Sequence, residues 1–542
     1  PPPSEKAGNH QFRNHHYHGK NRHRSVEALN YFHRNWPKMH GMQPHATQNA
    51  GQLNGTTPSE VSQCGRLHLP SRTKMNRRLQ LIMTSWAREG IRNGLLLFCC
   101  TAYAMSAVAN EGDSQRPNIL LMTVDNLGYG DLQIYNPDSK ILTPNLAKLA
   151  SRGVRLTQFY TASPTCTVSR ACLLTGRIAQ RHGLINQLPG LEGNYGVGLN
   201  HNEILMPEIL RSAGYRTGCF GKWNIGFAKG SRPTERGFDE FLGNASGNID
   251  YYRHVYNGKH DVYHGIAGRP ITEHHATGTY SSDLFADAAI DFITRHQNRQ
   301  PWFCYLPFNA PHSPNPKNKL PGQINQWQAP AAAFARYGIS ETETDPKIRY
   351  MATVTALDDA IGRVLDCLDS EGATKNTFIF CFSDNGAFRR NRDGIDIGSN
   401  EPLRDGGVTC WEGGLRVVAM ASFPEVIPAE TVVDQPLWSP DLLFTFAKLT
   451  NAQLPHTRLD GKDALPVLTG KSPSRHQSLY FEFRKHAALR MGDWKIVRTR
   501  PDEPWQLFHL KDDPIEAVNE STAEPEKLAE LVHQWQHWQS EF

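Results

Sequence analysis

Three short apolar runs constrain this chain most: Asn118-Ile119-Leu120-Leu121-Met122-Thr123-Val124, Phe303-Cys304-Tyr305-Leu306 and Thr377-Phe378-Ile379-Phe380-Cys381-Phe382, each followed by a polar loop. They lack the alternation of a strand with one wet face, so they read as strands buried on both sides, the habit of parallel sheets. Segments 143–152, 203–213, 282–297 and 350–370 carry helical periodicity. The pattern predicts an α/β fold over residues 115–470, with a large mixed, mainly parallel sheet flanked by helices on both faces. Beyond residue 470 the texture changes to 478–483, 488–497 and 505–510, short strands with turns, and then a terminal helix. A small C-terminal antiparallel sheet with a helix is expected there, over 471–542. There is no internal repeat.

Each buried run leads into residues that carry chemistry. Asp125-Asn126 follows the first, His312 the second after a short loop, and Asp384-Asn385 the third. Open α/β sheets bind ligands at the carboxyl ends of their strands, although Asp and Asn are also common turn formers. Two Asp and two Asn from separate loops offer only oxygen, which suits a hard divalent cation, calcium before magnesium. Cys166 and Arg170 stand four residues apart, one face of a helix, behind the helix-starting Ser163-Pro164-Thr165. A thiol at a helix N-terminus sits where an anion is favoured, so it is expected to be activated or modified. Taken alone, Cys166 would be a small buried hydrophobe, Lys222 a solvated surface lysine and His312 a satisfied loop histidine.

The formal charge of +5 is unevenly placed, because the first 80 or so residues are rich in His, Arg, Asn and Gln. Without an apolar period, residues 1–82 are expected to be disordered or an over-extended start rather than a nucleic-acid-binding tail. Arg88 and Arg92 precede the apolar run 94–105, and Ala107-Val108-Ala109 closes it. That is the plan of a secretory signal peptide over 83–109, too short to span a bilayer, which places the mature protein in the periplasm or outside the cell without a transmembrane anchor. The cysteines that remain, Cys166, Cys172, Cys219, Cys304, Cys367, Cys381 and Cys410, have no disulfide-framework or zinc-ligand spacing.

Cys166-Thr167-Val168-Ser169-Arg170, followed by Leu173-Leu174-Thr175-Gly176-Arg177, together with 124–131, Gly221-Lys222-Trp223-Asn224, Asn309-Ala310-Pro311-His312 and Ser383-Asp384-Asn385-Gly386, resembles the formylglycine-dependent sulfatases. The resemblance, to the arylsulfatase branch of the alkaline-phosphatase-like superfamily, covers about 115–542. It implies a sulfuric ester hydrolase acting on sulfate monoesters of aryl or carbohydrate alcohols. Cys166 would be oxidised to formylglycine by a maturation enzyme, and the hydrated aldehyde would supply the nucleophilic hydroxyl. Arg170 would hold that hydrate, Lys222 would pair with a sulfate oxygen and His312 would protonate the departing alcohol. Asp125, Asn126, the modified Cys166, Asp384 and Asn385 would hold calcium, or magnesium.

Four positions depart from the family pattern. Asn126 replaces a second Asp, Val168 a Pro or Ala, Asn224 a histidine and Gly407 a sulfate-binding lysine, for which Arg404 or another cation would have to substitute. The losses of negative and positive charge partly cancel. Weaker metal binding is expected, with a loss of several kcal/mol of transition-state stabilisation, since one preorganised donor is worth roughly 3 kcal/mol. Two alternatives follow from these departures: a catalytically impaired relative that binds sulfated glycans, and a phosphate or phosphonate ester hydrolase, which a site poor in cations suits less well.

Overall fold

The computed structural model describes residues 116–542 apart from 189–195, 197, 315, 319–326 and 390–396, so the tail and leader expected over 1–109 lie outside the described residues. Eleven strands form one sheet: β1 (Asn118–Val124), β2 (Val154–Tyr160), β3 (Arg216–Phe220), β4 (Glu240–Asn244), β5 (Val262–Ile266), β6 (Thr272–Glu273), β7 (Trp302–Pro307), β8 (Thr377–Ser383), β9 (Arg416–Ser422), β10 (Thr431–Val433) and β11 (Leu437–Trp438). Their order is β10-β2-β9-β8-β1-β7-β3-β4-β5-β6, with β11 also on β2. The centre, β8-β1-β7-β3-β4, is parallel. β9 is inserted antiparallel between β8 and β2, and β5 and β6 close the other edge antiparallel.

The continuous apolar character of the central strands has the expected cause. In β1, Leu120, Met122 and Val124 join one core while Ile119 and Leu121 join another on the opposite face. β7 divides the same way, Cys304 and Leu306 against Phe303 and Tyr305. Since successive side chains alternate across a strand, both faces need apolar residues and no alternation survives in the sequence. Helices α4 (Ser281–His296) and α5 (Pro346–Ser370), with α1 (Pro144–Ser151), cover the first face. The second is covered by α2 (Cys166–Thr175), α3 (Met206–Ser212) and α6 (Asp441–Leu449). α5 starts ahead of the periodic stretch because Asp345 caps it, accepting from Lys347 N–H at 2.7 Å, and Pro346 opens its first turn.

The C-terminal strands β12 (Ser478–Phe483), β13 (His486–Met491), β14 (Trp494–Arg498) and β15 (Gln506–His509) form an antiparallel sheet in sequence order, followed by α7 (Pro525–Gln539). The stretch 488–497 is part of a hairpin, because Gly492 turns the chain at φ 60°. A third core joins this sheet to α2, with Val168 and Cys172 packed among Leu489, Ile496, Phe508 and Trp535. The seven cysteines among the described residues are free and buried. Among the described residues no helix is long and apolar enough to cross a membrane.

Candidate active site

The carboxyl ends of β1, β3, β7 and β8 are stitched together before any side chain is considered. Asp125 N–H donates to Ala310 O at 2.9 Å, Asp384 N–H to Val124 O at 2.9 Å and Lys222 N–H to Pro307 O at 2.7 Å. Gly221, at φ 136°, permits this approach, since a Cβ there would lie 2.1 Å from Pro307 O. Lys222 is thereby turned inward. Its side chain and that of Asp125 are both fully buried, with Nζ 2.5 Å from Oδ2, so the surface reading of this lysine is corrected. A buried ammonium requires a partner, and Asp125 is that partner.

Cys166 occupies the first turn of α2, and Arg170 lies one turn further on the same helix. The Arg170 guanidinium grips Asp384 Oδ2 through Nη2 at 2.7 Å and Nε at 2.9 Å, and Nη1 donates to Lys222 O at 3.0 Å. Two buried cations thus face two buried carboxylates, and the constellation is electroneutral as it stands. Burial pushes the pKa values of Asp125 and Asp384 up against the pull of Lys222 and Arg170. Burial also pushes the Cys166 thiol up, so this is a protonated thiol and not an activated thiolate. Of the two expectations for this residue, activation or modification, the electrostatics do not support the first.

Asn126 and Asn385 meet side chain to side chain, Asn385 Nδ2 donating to Asn126 Oδ1 at 2.5 Å, while Asn126 N–H donates to Asp384 Oδ1 at 3.3 Å. Asn126 has φ 65°, a left-handed backbone that Asn and Asp tolerate better than most residues. Asp125 Oδ1 and Asn385 Oδ1 are buried with no hydrogen-bond partner. Buried polar atoms are almost always satisfied, so two bare oxygens in an all-oxygen cluster fit a hard divalent cation. The donors are carboxamides as much as carboxylates, and among the described residues no group of three or more His, Cys, Asp or Glu gathers.

His312 follows β7 and lines a small recess with Asn126, Pro311, Trp327, Tyr350 and Phe388. Its Nδ1 is 2.7 Å from Ser313 O, which assigns the proton to Nδ1 and leaves Nε2 as the lone-pair nitrogen. Burial and the nearby Lys222 lower its pKa to about 4, so it is neutral near pH 7.

Arg404 requires a correction. Its guanidinium stacks 3.7 Å above the Trp411 ring, and Nη1 donates to Glu516 O at 2.7 Å, so the cation faces the C-terminal subdomain and does not take the place of the missing lysine. The space at Gly407 is taken by Phe388, whose ring would lie 2.1 Å from a Cβ at 407. An aromatic ring, edge-on to His312 at 6.1 Å between centroids, stands where a lysine side chain would need room.

Sequence reasoning missed Gln187. Its Oε1 accepts from Thr165 Oγ1 at 3.1 Å and from Thr167 N–H at 3.2 Å, and Nε2 lies 3.3 Å from Cys166 Sγ. It therefore does the capping that Thr165, the N-cap, does not. A glutamine in an aperiodic loop carried no signal of this. Asn224 also touches the thiol, Nδ2 to Sγ at 3.3 Å.

The family described as Sulfatase matches residues 117–452. The chain is similar to N-acetylgalactosamine-6-sulfatase of Homo sapiens, 33% identical over 410 residues that cover 73% of this chain and 74% of that protein. It is similar to arylsulfatase A of Bos taurus, 34% identical over 469 residues, 77% of this chain and 85% of that one. Among solved structures it resembles Ps i-CgsB in complex with k-i-k-neocarrahexaose, at 29% identity and a TM-score of 0.69, covering 78% of this chain and 93% of that chain.

Proposed function

The chain belongs to the sulfatase family, and on that premise we propose that it hydrolyses sulfate monoesters of carbohydrates with a formylglycine made from Cys166 and a bound divalent cation, calcium before magnesium. Cys166 carries this reading: a buried thiol at the first turn of a helix, in the field of Arg170, Lys222, Asp125 and Asp384. Formylglycine would supply a hydroxyl nucleophile, and a cation held by Asp125, Asn126, Asp384 and Asn385 would polarise a sulfate oxygen. The relative named N-acetylgalactosamine-6-sulfatase and the neighbour in complex with k-i-k-neocarrahexaose support a carbohydrate alcohol, with an aryl alcohol, to which the name of arylsulfatase A points, as the second reading. The glycan-binding and phosphate-ester alternatives are not favoured by the sulfatase relatives.

Arg170 and Lys222 do two jobs in this reading. They balance Asp384 and Asp125 while the site is empty, and they draw in the sulfate group when substrate arrives. The approach of that anion raises the His312 pKa from its depressed value, so Nε2 can carry the proton that the departing alkoxide takes. Export to the periplasm or beyond, from the leader at 83–109, and conversion by a maturation enzyme belong to the same proposal.

The test is the intact mass of the Cys166 peptide from protein made in its native host, alongside hydrolysis of carbohydrate sulfates. An aldehyde mass is expected, together with a loss of at least about 10³-fold in turnover in Cys166→Ala. An unmodified thiol in active protein would overturn the nucleophile assignment.

A further inference from the structure

We propose that Gln187 and Asn224 form a two-amide clamp that binds the hydrated form of the oxidised Cys166 side chain, a geminal diol, and holds it against return to the free aldehyde. The inference rests on the formylglycine reading and deepens it. The observations are three. Gln187 places both ends of its amide at position 166, Oε1 3.5 Å and Nε2 3.3 Å from Sγ. Asn224, fully buried, places Nδ2 3.3 Å from the same sulfur, yet its Oδ1 has no partner. The two amides share one wall, since a Cβ at Gly247 would lie 3.5 Å from Gln187 Nε2 and 3.6 Å from Asn224 Oδ1.

A thiol offers one weak donor and a weak acceptor, a poor match for two NH₂ groups and a bare carboxamide oxygen. A geminal diol offers two O–H donors and two oxygen acceptors on one carbon. Hydration needs no oxidant: a water oxygen bonds to the carbonyl carbon, the π pair moves to the carbonyl oxygen, and a proton passes from the water to that oxygen. Each amide contact that closes on a diol hydroxyl favours this product over the aldehyde, and an acceptor left bare by the thiol becomes satisfied.

Neither amide titrates near neutral pH, so both are positioning residues and neither is a base. The backbone supports the assignment for Asn224, whose φ of 55° is tolerated by Asn better than by most residues. Gln187 is tied on its other side to Thr165 Oγ1 and Thr167 N–H, so the clamp is anchored to the start of the helix it serves.

The experiment uses full-length protein from its native host, wild type, Gln187→Met, Gln187→Glu and Asn224→Asp. The mass of the Cys166 peptide first reports conversion. Folded, converted protein is then mixed with methoxyamine, which forms an oxime and releases water only from the free aldehyde. Gln187→Met keeps the volume and loses the hydrogen bonds, and is expected to raise the initial oxime rate about tenfold, in line with one or two lost hydrogen bonds. Gln187→Glu keeps the acceptor for Thr167 N–H, so it is expected to restore the melting temperature but not the slow oxime rate. Asn224→Asp, which tolerates the same left-handed backbone, is expected to move the rate in the same direction. Oxime formation at the wild-type rate in converted Gln187→Met overturns the clamp and leaves the formylglycine reading standing. A thiol at Cys166 in the wild type overturns that reading and the clamp with it.

Discussion

Among the described residues, the buried ionic cluster under the C-terminal sheet and the one at the strand ends differ in what they leave bare. Under the C-terminal sheet, Lys495 Nζ is 2.8 Å from both Glu412 Oε1 and Glu516 Oε1. Tyr160 Oη donates to Glu412 Oε2 at 2.6 Å, and Glu412 N–H donates to Glu516 Oε2 at 2.7 Å. Every carboxylate oxygen there faces a cation or a donor, Glu516 Oε1 by the ion pair to Lys495 alone, without a hydrogen bond. At the strand ends, Lys222 and Arg170 each occupy one oxygen of Asp125 and Asp384, and Asp125 Oδ1, Asn385 Oδ1 and Asn224 Oδ1 have no partner. Burial and charge alone do not mark a functional site; the first cluster is a closed clasp between sheet and subdomain. The second is unfinished, and unpaired buried oxygens are costly enough that a ligand is the natural account of them.

The sharpest way to break this contrast is to remove one lysine from each cluster. Breaking a buried pair leaves an uncompensated charge and costs about 3–5 kcal/mol. Lys495→Met is expected to lose that much in denaturant titrations whether or not calcium is present. Lys222→Met is expected to lose it only without calcium, because the freed Asp125 charge then belongs to the cation. Equal, calcium-independent losses in both would erase the distinction.

A smaller effect comes from the cation itself. Chelation is expected to lower the unfolding free energy by about 2.7 kcal/mol when the starting calcium is about 100 times its Kd. Asn126→Asp, which suits the same left-handed backbone, is expected to shift the calcium dependence to lower concentration by restoring a carboxylate. If neither calcium nor magnesium moves the midpoint, the bare oxygens are not metal ligands.

The smallest effect tests a closed contact by pH. His182, beyond the C-terminal end of α2, accepts from Leu184 N–H through Nδ1 at 3.2 Å and turns Nε2 toward Cys172 Sγ at 3.4 Å. Burial first, then Arg177, lowers its pKa from 6.5 to about 3. A depressed histidine contributes stability above its unfolded pKa and loses it as pH falls toward the folded one. Between pH 7 and 5 the loss is about 2 kcal/mol, and His182→Gln is expected to flatten that slope relative to wild type. Buried Asp131, raised to about 7, works in the opposite sense, so the difference between variant and wild type is the readout. Identical slopes would mean that His182 is already charged in the folded state.

The central strands β1, β7 and β8 were legible because burial on two faces leaves unbroken apolar runs, and the longer helices because one apolar stripe repeats at a helical period; the edge strands, short or half-buried, left no such run. Asp125, His312 and Asp384 were legible as chemistry at strand ends and Cys166 as a thiol at a helix start, whereas Lys222 was legible only through the family resemblance. Gln187 was not, since its work depends on a loop folding back over the start of α2. Arg404 was misread for a related reason: a guanidinium takes the nearest aromatic face and carbonyl, and here those are Trp411 and Glu516 O. Asn126 and Asn224 show a third limit. Their identities announced a change of charge, whereas their left-handed backbones, compatible with Asp or His as well as Asn, emerged only with the fold.

By itself the sequence determined the layered α/β plan, the small antiparallel subdomain and the strand-end positions of most candidate groups, because periodicity and turn chemistry are local properties of the chain. Only the tertiary structure decided which buried charges are closed and which are left open, that Phe388 rather than a cation fills the space at Gly407, and that two amides reach the Cys166 sulfur. Partner choice among buried polar groups depends on atoms brought together from distant parts of the chain, and no local pattern encodes it.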